Sequence, residues 1–289
     1  MPIVRPLAAL RYNRAMLTDT HCHLADPLLA GDAVYPDSLQ LAATLAQARA
    51  ADVSGFVVPA ACAADWPRVL ALKNIAGVRA LALGIHPWHA GEMFSGSLKA
   101  ATDRLAQLED MLRQNPQLWV GEIGLDYLLR PQLPEKAVQQ TALRAQLELA
   151  QRYRRPVILH NLRATADILR LLRETAFDCG GIAHAFSGSL EEARALIGAG
   201  LLIGIGSLLL NPHARKAQRA AAELPAESIV LETDSPFMLG NTVNTPANLR
   251  RIAETAARLR GTDLPTLASQ CEQNLQKLLP CPHLPFQAA

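Results

Sequence analysis

Short apolar runs rich in Val, Ile, Leu and Ala alternate along the chain with longer segments whose apolar residues recur at helical spacing. The short runs cover residues 17–24, 55–61, 78–86, 118–125, 156–161, 181–186, 201–207 and 229–234. Nearly continuous apolar character within them predicts strands buried on both faces, as in a parallel sheet. Helices are predicted between them over 39–51, 65–75, 97–115, 135–154, 164–176, 190–199, 212–223 and 246–260, with a final helix over 264–279. Local signals mark several boundaries. Ser189-Leu-Glu-Glu192 reads as a capping box, while Asn115-Pro116 and Gly200 end helices.

Eight strand/helix pairs between residues 17 and 279 match the count and length of a (β/α)8 TIM barrel with an extra C-terminal helix. Residues 17–289 are therefore expected to form one domain, preceded by an extension over 1–16 expected to lack fixed structure. A doubly wound sheet fits worse. Eight even pairs are too many, and no glycine fingerprint follows the first strand. Gly204-Ile-Gly206 begins like a dinucleotide loop, but Leu209 occupies the third glycine position and the segment is the seventh strand.

Composition narrows the class. Half of the 289 residues are hydrophobic, enough for a large core, yet no apolar run reaches the ~18–20 residues of a membrane span. Five cysteines are scattered without a C-x-x-C pair, which suits a cytoplasmic location and argues against a disulfide framework or a structural zinc knuckle. Pro6 interrupts the N-terminal apolar stretch, so no signal peptide is expected. The net charge of +2 includes Arg5, Arg11 and Arg14; without those three the remainder carries −1. No basic stripe is visible, so charge neither supports nor excludes a nucleic-acid substrate.

Six metal-grade side chains stand at the ends of the apolar runs: His21, His23, Glu122, His160, His184 and Asp234. His21 and His23 are two apart, so on a strand they share a face and can chelate one ion; Asp19 joins that face, while Thr20 and Cys22 point away. A single such histidine is as well read as a hydrogen-bonded core residue. Six at strand ends repeat the way a parallel barrel builds a metal site at its C-terminal mouth. Glu122 follows Gly121 in a buried strand, where a carboxylate needs a counter-charge or a metal. Asp126 reads as a turn or capping residue. Asp234 is the strongest catalytic candidate, an acid able to take and return a proton at a metal site, with Glu122 the second catalytic candidate. His86, in Gly84-Ile-His-Pro87, is open between substrate contact, outer ligand and loop residue; His89, His213 and His283 read as surface histidines. No G-x-S-x-G elbow or P-loop is present.

Together, Asp19-Thr-His-Cys-His-Leu24, Gly84-Ile-His-Pro87, Gly121-Glu-Ile-Gly-Leu-Asp-Tyr127, His184-Ala-Phe-Ser-Gly188 and Glu232-Thr-Asp-Ser-Pro236 resemble the TatD family of metal-dependent deoxyribonucleases and hydrolases. The resemblance runs from about residue 17 to 279 and lies nearest that family's uncharacterised hydrolase branch. It implies an amidohydrolase-type barrel with two divalent ions. His21 and His23 would serve one ion, His160 and His184 the other, Glu122 would bridge them, and Asp234 would bind metal and activate water. Asn244-Thr-Pro246 would belong to a supporting loop. One departure stands out. Where family members carry an arginine two places after the fifth-strand histidine, this chain has Leu162, with Arg163 one residue later as the candidate substrate contact.

The expected function is metal-dependent hydrolysis, as a 3′-to-5′ exonuclease acting on DNA. The alternative is hydrolysis of an amide, lactone or small phosphoester on the same site. Imidazole-rich ligation favours zinc, manganese or nickel over magnesium. DNA is the only partner implied, and no obligate protein partner or membrane is evident in the sequence.

Overall fold

The computed structural model describes residues 16–32, 38–93, 98–128, 130 and 132–279. The extension expected over 1–16 lies almost wholly outside them. Eight strands form one sheet in sequence order, each neighbouring pair parallel: β1 (Leu17–Asp19), β2 (Val53–Pro59), β3 (Val78–Leu83), β4 (Trp119–Asp126), β5 (Val157–Leu162), β6 (Gly181–Ala183), β7 (Leu201–Ile205) and β8 (Ile229–Leu231). The seam between β8 and β1 is closed by single contacts. Thr20 N–H donates to Leu231 O (3.0 Å), Asp234 N–H to His21 O (2.9 Å) and His23 N–H to Ser235 O (2.8 Å), and one parallel bridge joins Cys22 to Ser235. The result is a nearly closed (β/α)8 barrel.

Ten helices occur among the described residues: α1 (Pro27–Ala30), α2 (Leu39–Ala50), α3 (Trp66–Ala71), α4 (Leu98–Gln114), α5 (Lys136–Arg152), α6 (Thr165–Glu174), α7 (Leu190–Gly198), α8 (Arg215–Glu223), α9 (Leu249–Arg260) and α10 (Leu264–Gln276). The capping box at the start of α7 forms as the sequence predicts, with Ser189 Oγ accepting from Glu192 N–H and Glu192 accepting from Ser189 N–H. The short helix α1 is not predicted by periodicity. Asp26 caps it by accepting from Leu28 N–H at 2.8 Å.

Several strands are shorter than their apolar runs. β1, β6 and β8 stop after three residues each, so His21, His23, His184 and Asp234 lie just past the strands rather than within them. Left-handed backbone at Arg163 (φ 56°), Ala185 (φ 45°) and Asp234 (φ 55°) is incompatible with a continuing strand and turns the chain away at the mouth.

Two apolar layers hold the barrel. Outside, helices pack on the sheet around residues such as Phe56, Trp66, Leu83, Leu125 and Ile203. Inside, Val57, Ala80, Ala82, Trp119, Ile158, Ile182, Leu202 and Val230 fill the lower lumen, joined by Leu275 from α10. The side-chain amide of Asn274 fixes α10 at that end, donating to Ala226 O (2.7 Å) and Ile229 O (2.8 Å). No helix among the described residues is long and apolar enough to cross a membrane.

Candidate metal centre

Period-two alternation carries the inner face of each strand up from the lower lumen to the mouth. Ile158 gives way to His160, Ile182 to His184, Leu202 to Gly204, and Val230 to Glu232 and then Asp234. The same spacing after β1 brings up Asp19, His21 and His23. All of these except His160 are buried, and His160 is half-buried.

Glu122 stands at the centre. Its Oε2 lies 3.2 Å from His21 Nε2 and 3.6 Å from His23 Nε2. Its Oε1 lies 2.7 Å from His184 Nε2, 3.1 Å from His86 Nε2 and 3.1 Å from His160 Nδ1. Asp234 Oδ1 completes the first side, 3.5 Å from both His21 Nε2 and His23 Nε2. Each oxygen of one carboxylate therefore faces its own group of donors. Three donor triads close to within 4.8 Å: His21/His23/Glu122, His86/Glu122/His160 and His21/His184/Asp234. The rings of His21 and His184 stack at 3.9 Å.

The electrostatics follow from burying so many titratable groups together. Burial pushes Glu122 up, but His184, His86 and His21 around it hold its carboxyl well below the usual range. Burial drives His21 and His86 down to about 4. For His184, burial acts downward, yet Glu122, Asp234 and Glu232 raise it to about 10. The stacked pair is thus divided, with burial favouring the neutral form of His21 and the surrounding carboxylates favouring the charged form of His184. Burial lifts Glu232 to about 8 and Asp19 to about 7.

All six residues expected as ligands converge on this cluster. His86, which the sequence left open between substrate contact, outer ligand and loop residue, points Nε2 into it and sits within a donor triad. Arg163, the other expected substrate contact, is exposed and forms no hydrogen bond or ion pair among the described residues. Asp19 does not share the histidines' surroundings: its carboxylate accepts from Thr233 N–H (2.9 Å) and Thr233 Oγ1 (2.6 Å), tying β1 to the loop after β8. Buried Asn244 supports that loop, donating to Ser207 Oγ (3.0 Å) and Thr233 O (2.9 Å).

Two carboxylates in the site were not singled out from sequence. Asp126 makes the expected turn by accepting from Leu128 N–H (2.8 Å), but it also accepts from Trp88 Nε1 (2.7 Å) and lies 3.6 Å from His160 Nε2. It therefore places a negative charge behind the His160 ring. Glu232 accepts from Ala185 N–H and lies 3.9 Å from His184 Nδ1. Its place explains Gly204: a Cβ there would come within 2.3 Å of Glu232 Oε2. Glycines opposite an acid at period-two register were the available signal.

An imidazole–carboxylate cluster at the C-terminal mouth of a parallel barrel defines a metal-dependent hydrolase class. Within that class the chain belongs to the family described as TatD related DNase, which matches residues 18–280. It is similar to YjjV of Escherichia coli K12, described as an uncharacterized metal-dependent hydrolase, at 35% identity over 271 residues, covering 91% of this chain and 98% of that one. It is similar to the 3′-5′ ssDNA/RNA exonuclease TatD of Erwinia billingiae at 34% identity over 209 residues, 69% of this chain and 77% of that one. The crystal structure of the E. coli YjjV protein superposes with a TM-score of 0.79 at 33% identity, covering 93% of this chain and all of the other.

Proposed function

We propose that the mouth holds two divalent cations bridged by Glu122 and hydrolyses phosphodiester bonds at the 3′ end of a nucleic acid. The observation that carries the reading is the division of Glu122, with Oε2 turned to His21 and His23 and Oε1 to His86, His160 and His184. The donor set fits such ions. Five imidazoles and two carboxylates converge, with His21 Nε2 and His23 Nε2 facing each other at 3.2 Å and His160 Nδ1 and His184 Nε2 at 3.3 Å, each nitrogen also turned to a carboxylate oxygen. Bound there, divalent ions supply Lewis acidity and lower the pKa of water.

The remaining roles belong to the chain's own groups. Asp234, held in left-handed backbone by its N–H bond to His21 O, presents Oδ1 to both β1 histidines. It takes the proton of the attacking water and returns it to the leaving oxygen. Glu122 stays ionised and is the shared anionic ligand. Asp126 and Glu232 place negative charge behind His160 and His184, which favours their positive ends turned away from the cluster. His184 would have to be unprotonated at the nitrogen that holds a cation, so affinity would rise with pH. The ligand chemistry favours zinc, manganese or nickel over magnesium. A nucleic-acid substrate is supported by the exonuclease relatives. A non-nucleic ester or amide is the second reading, favoured by Arg163 lying exposed without contact to the cluster.

The test is a panel of single- and double-stranded DNA, RNA, simple phosphodiesters, lactones and amides, run with each metal. Cleavage of single strands from the 3′ end is expected. Turnover confined to non-phosphorus substrates overturns the nuclease reading.

A further inference from the structure

Aromatic residues are scarce in this chain, and five of the seven described tryptophans and phenylalanines are buried. Of the three tryptophans, Trp66 and Trp119 are 2% and 1% exposed, whereas Trp88 is 46% exposed. Among the described phenylalanines, Phe56, Phe177 and Phe186 are buried, whereas Phe237 is 47% exposed. Leaving such rings in water forgoes the burial energy that the other aromatics contribute. Both exceptions edge onto the metal centre, and on different donor groups. Trp88 meets the His86 ring edge-on at 5.1 Å, beside Glu122 Oε1. Phe237 meets the His23 ring edge-on at 5.5 Å, beside Glu122 Oε2.

Neither ring is loose. Trp88 Nε1 donates to Asp126 Oδ2 at 2.7 Å, and the Arg130 guanidinium lies 5.2 Å from the Trp88 ring centroid. Phe237 N–H donates to Asp234 O at 2.9 Å, so its backbone is anchored to the catalytic candidate itself. The site therefore offers two half-exposed aromatic rings flanking the donor cluster, one of them with a guanidinium over it. Planar rings beside a phosphodiester centre suit nucleobases, which stack on aromatic faces without sequence preference, while a guanidinium suits the neighbouring phosphate.

We infer that Trp88 and Phe237 are stacking platforms for the nucleobases that flank the scissile phosphodiester, with Arg130 beside Trp88 as a phosphate contact. This rests on the nucleic-acid reading of the site. It makes the enzyme dependent on bases, not only on a phosphate backbone.

The experiment compares a single-stranded oligonucleotide with one whose two 3′-terminal nucleotides are abasic, using the metal-loaded enzyme. Intact substrate is expected to have a kcat/KM higher by roughly 5- to 150-fold per stacked base, mostly through KM. Phe237→Leu, which keeps apolar bulk but loses the π face, narrows that ratio, and Phe237→Tyr restores it. Trp88→Phe keeps the ratio, whereas Trp88→Leu narrows it. Binding of a 3′-phosphorothioate oligonucleotide, resistant to cleavage, quenches tryptophan fluorescence, because Trp88 is the exposed tryptophan; the abasic version does not. If both oligonucleotides are cut equally well by the parent enzyme, or Phe237→Leu slows both by the same factor, the platforms are overturned while the nuclease reading stands. If neither is cut and a non-phosphorus ester is, both readings fall.

Discussion

The lower lumen and the mouth are built by the same strands, yet one is a sealed apolar plug and the other a cluster of buried charge. Ile158, Ile182 and Val230 lie one inward step below His160, His184 and Glu232. The lower layer needs nothing but volume. Trp119 and Leu275 close it, and its stabilisation scales with the apolar area removed from water. The upper layer holds groups whose burial is costly unless each is paired, and they are paired mainly with one another around Glu122. Stability is concentrated in the plug, and reactivity is concentrated where the mouth departs from the requirements of stability.

The sharpest way to break this division is Asp234→Asn. Hydrolysis is expected to fall by about 10²–10⁴-fold, the usual worth of general acid–base catalysis, with the thermal midpoint retained. A melt that collapses together with activity would make Asp234 structural. Glu122→Gln should go further in one respect, removing the anion both donor groups share. Elemental analysis of the purified variant is expected to show strongly reduced metal, and parental metal content would refute the bridging role.

Below the mouth the signs reverse. Trp119→Ala should cost about 3–5 kcal/mol in denaturant unfolding. The surviving folded molecules should bind metal as the parent does; loss of metal at unchanged stability would contradict the separation. Gly204→Ala tests the boundary between layers, since the new methyl would meet Glu232. About 1–3 kcal/mol is expected, typical of overpacking. Combining it with Glu232→Ala should recover part of that cost, and strictly additive effects in the double-mutant cycle would place Glu232 elsewhere.

The mildest effect is on pH dependence. In metal-stripped protein, His184, Glu232 and Asp19 are raised to about 10, 8 and 7. Each then holds its proton more tightly folded than unfolded, so its contribution is full at low pH and lost as pH rises through the folded value. Chemical denaturation in chelator should therefore show stability falling from about pH 6.5 upward. Excess divalent metal should abolish that fall by replacing the proton. On the acid side the slope should be shallow. His21 and His86, lowered to about 4, lose their contribution as pH falls below 6.5, while Asp19 and Glu232 gain theirs over an overlapping range. A steep acid-side loss in chelator would mean the histidines dominate.

Residue patterns made much of this legible, and the failures are instructive. The eight strand runs were readable because strands buried on both faces must be continuously apolar. The six ligand candidates were readable because a histidine or acid ending such a run is chemically conspicuous. Strand ends were overrun at Leu24, Phe186 and Asp234; at the last two, left-handed Ala185 and Asp234 leave no compositional mark. Sequence left His86 open between substrate contact, outer ligand and loop residue, because only the fold turns its ring toward Glu122. Asp126 looked like a turn residue and is one, but the turn also aims its second oxygen at Trp88 and His160.

By itself the sequence determined the alternation of strands and helices, the barrel they close into, and the types of side chain delivered to its mouth. Those depend on local periodicity and hydrophobicity, which act over a few residues. Only the tertiary structure decided that Glu122 faces a different set of imidazoles with each oxygen, that Glu232 fills the space Gly204 leaves, and that Trp88 and Phe237 stand exposed at the centre. These are relations between atoms from strands far apart in the chain. Packing and the mutual shielding of buried charges fix them, and no short window along the sequence contains Glu122 with its imidazoles or Gly204 with Glu232.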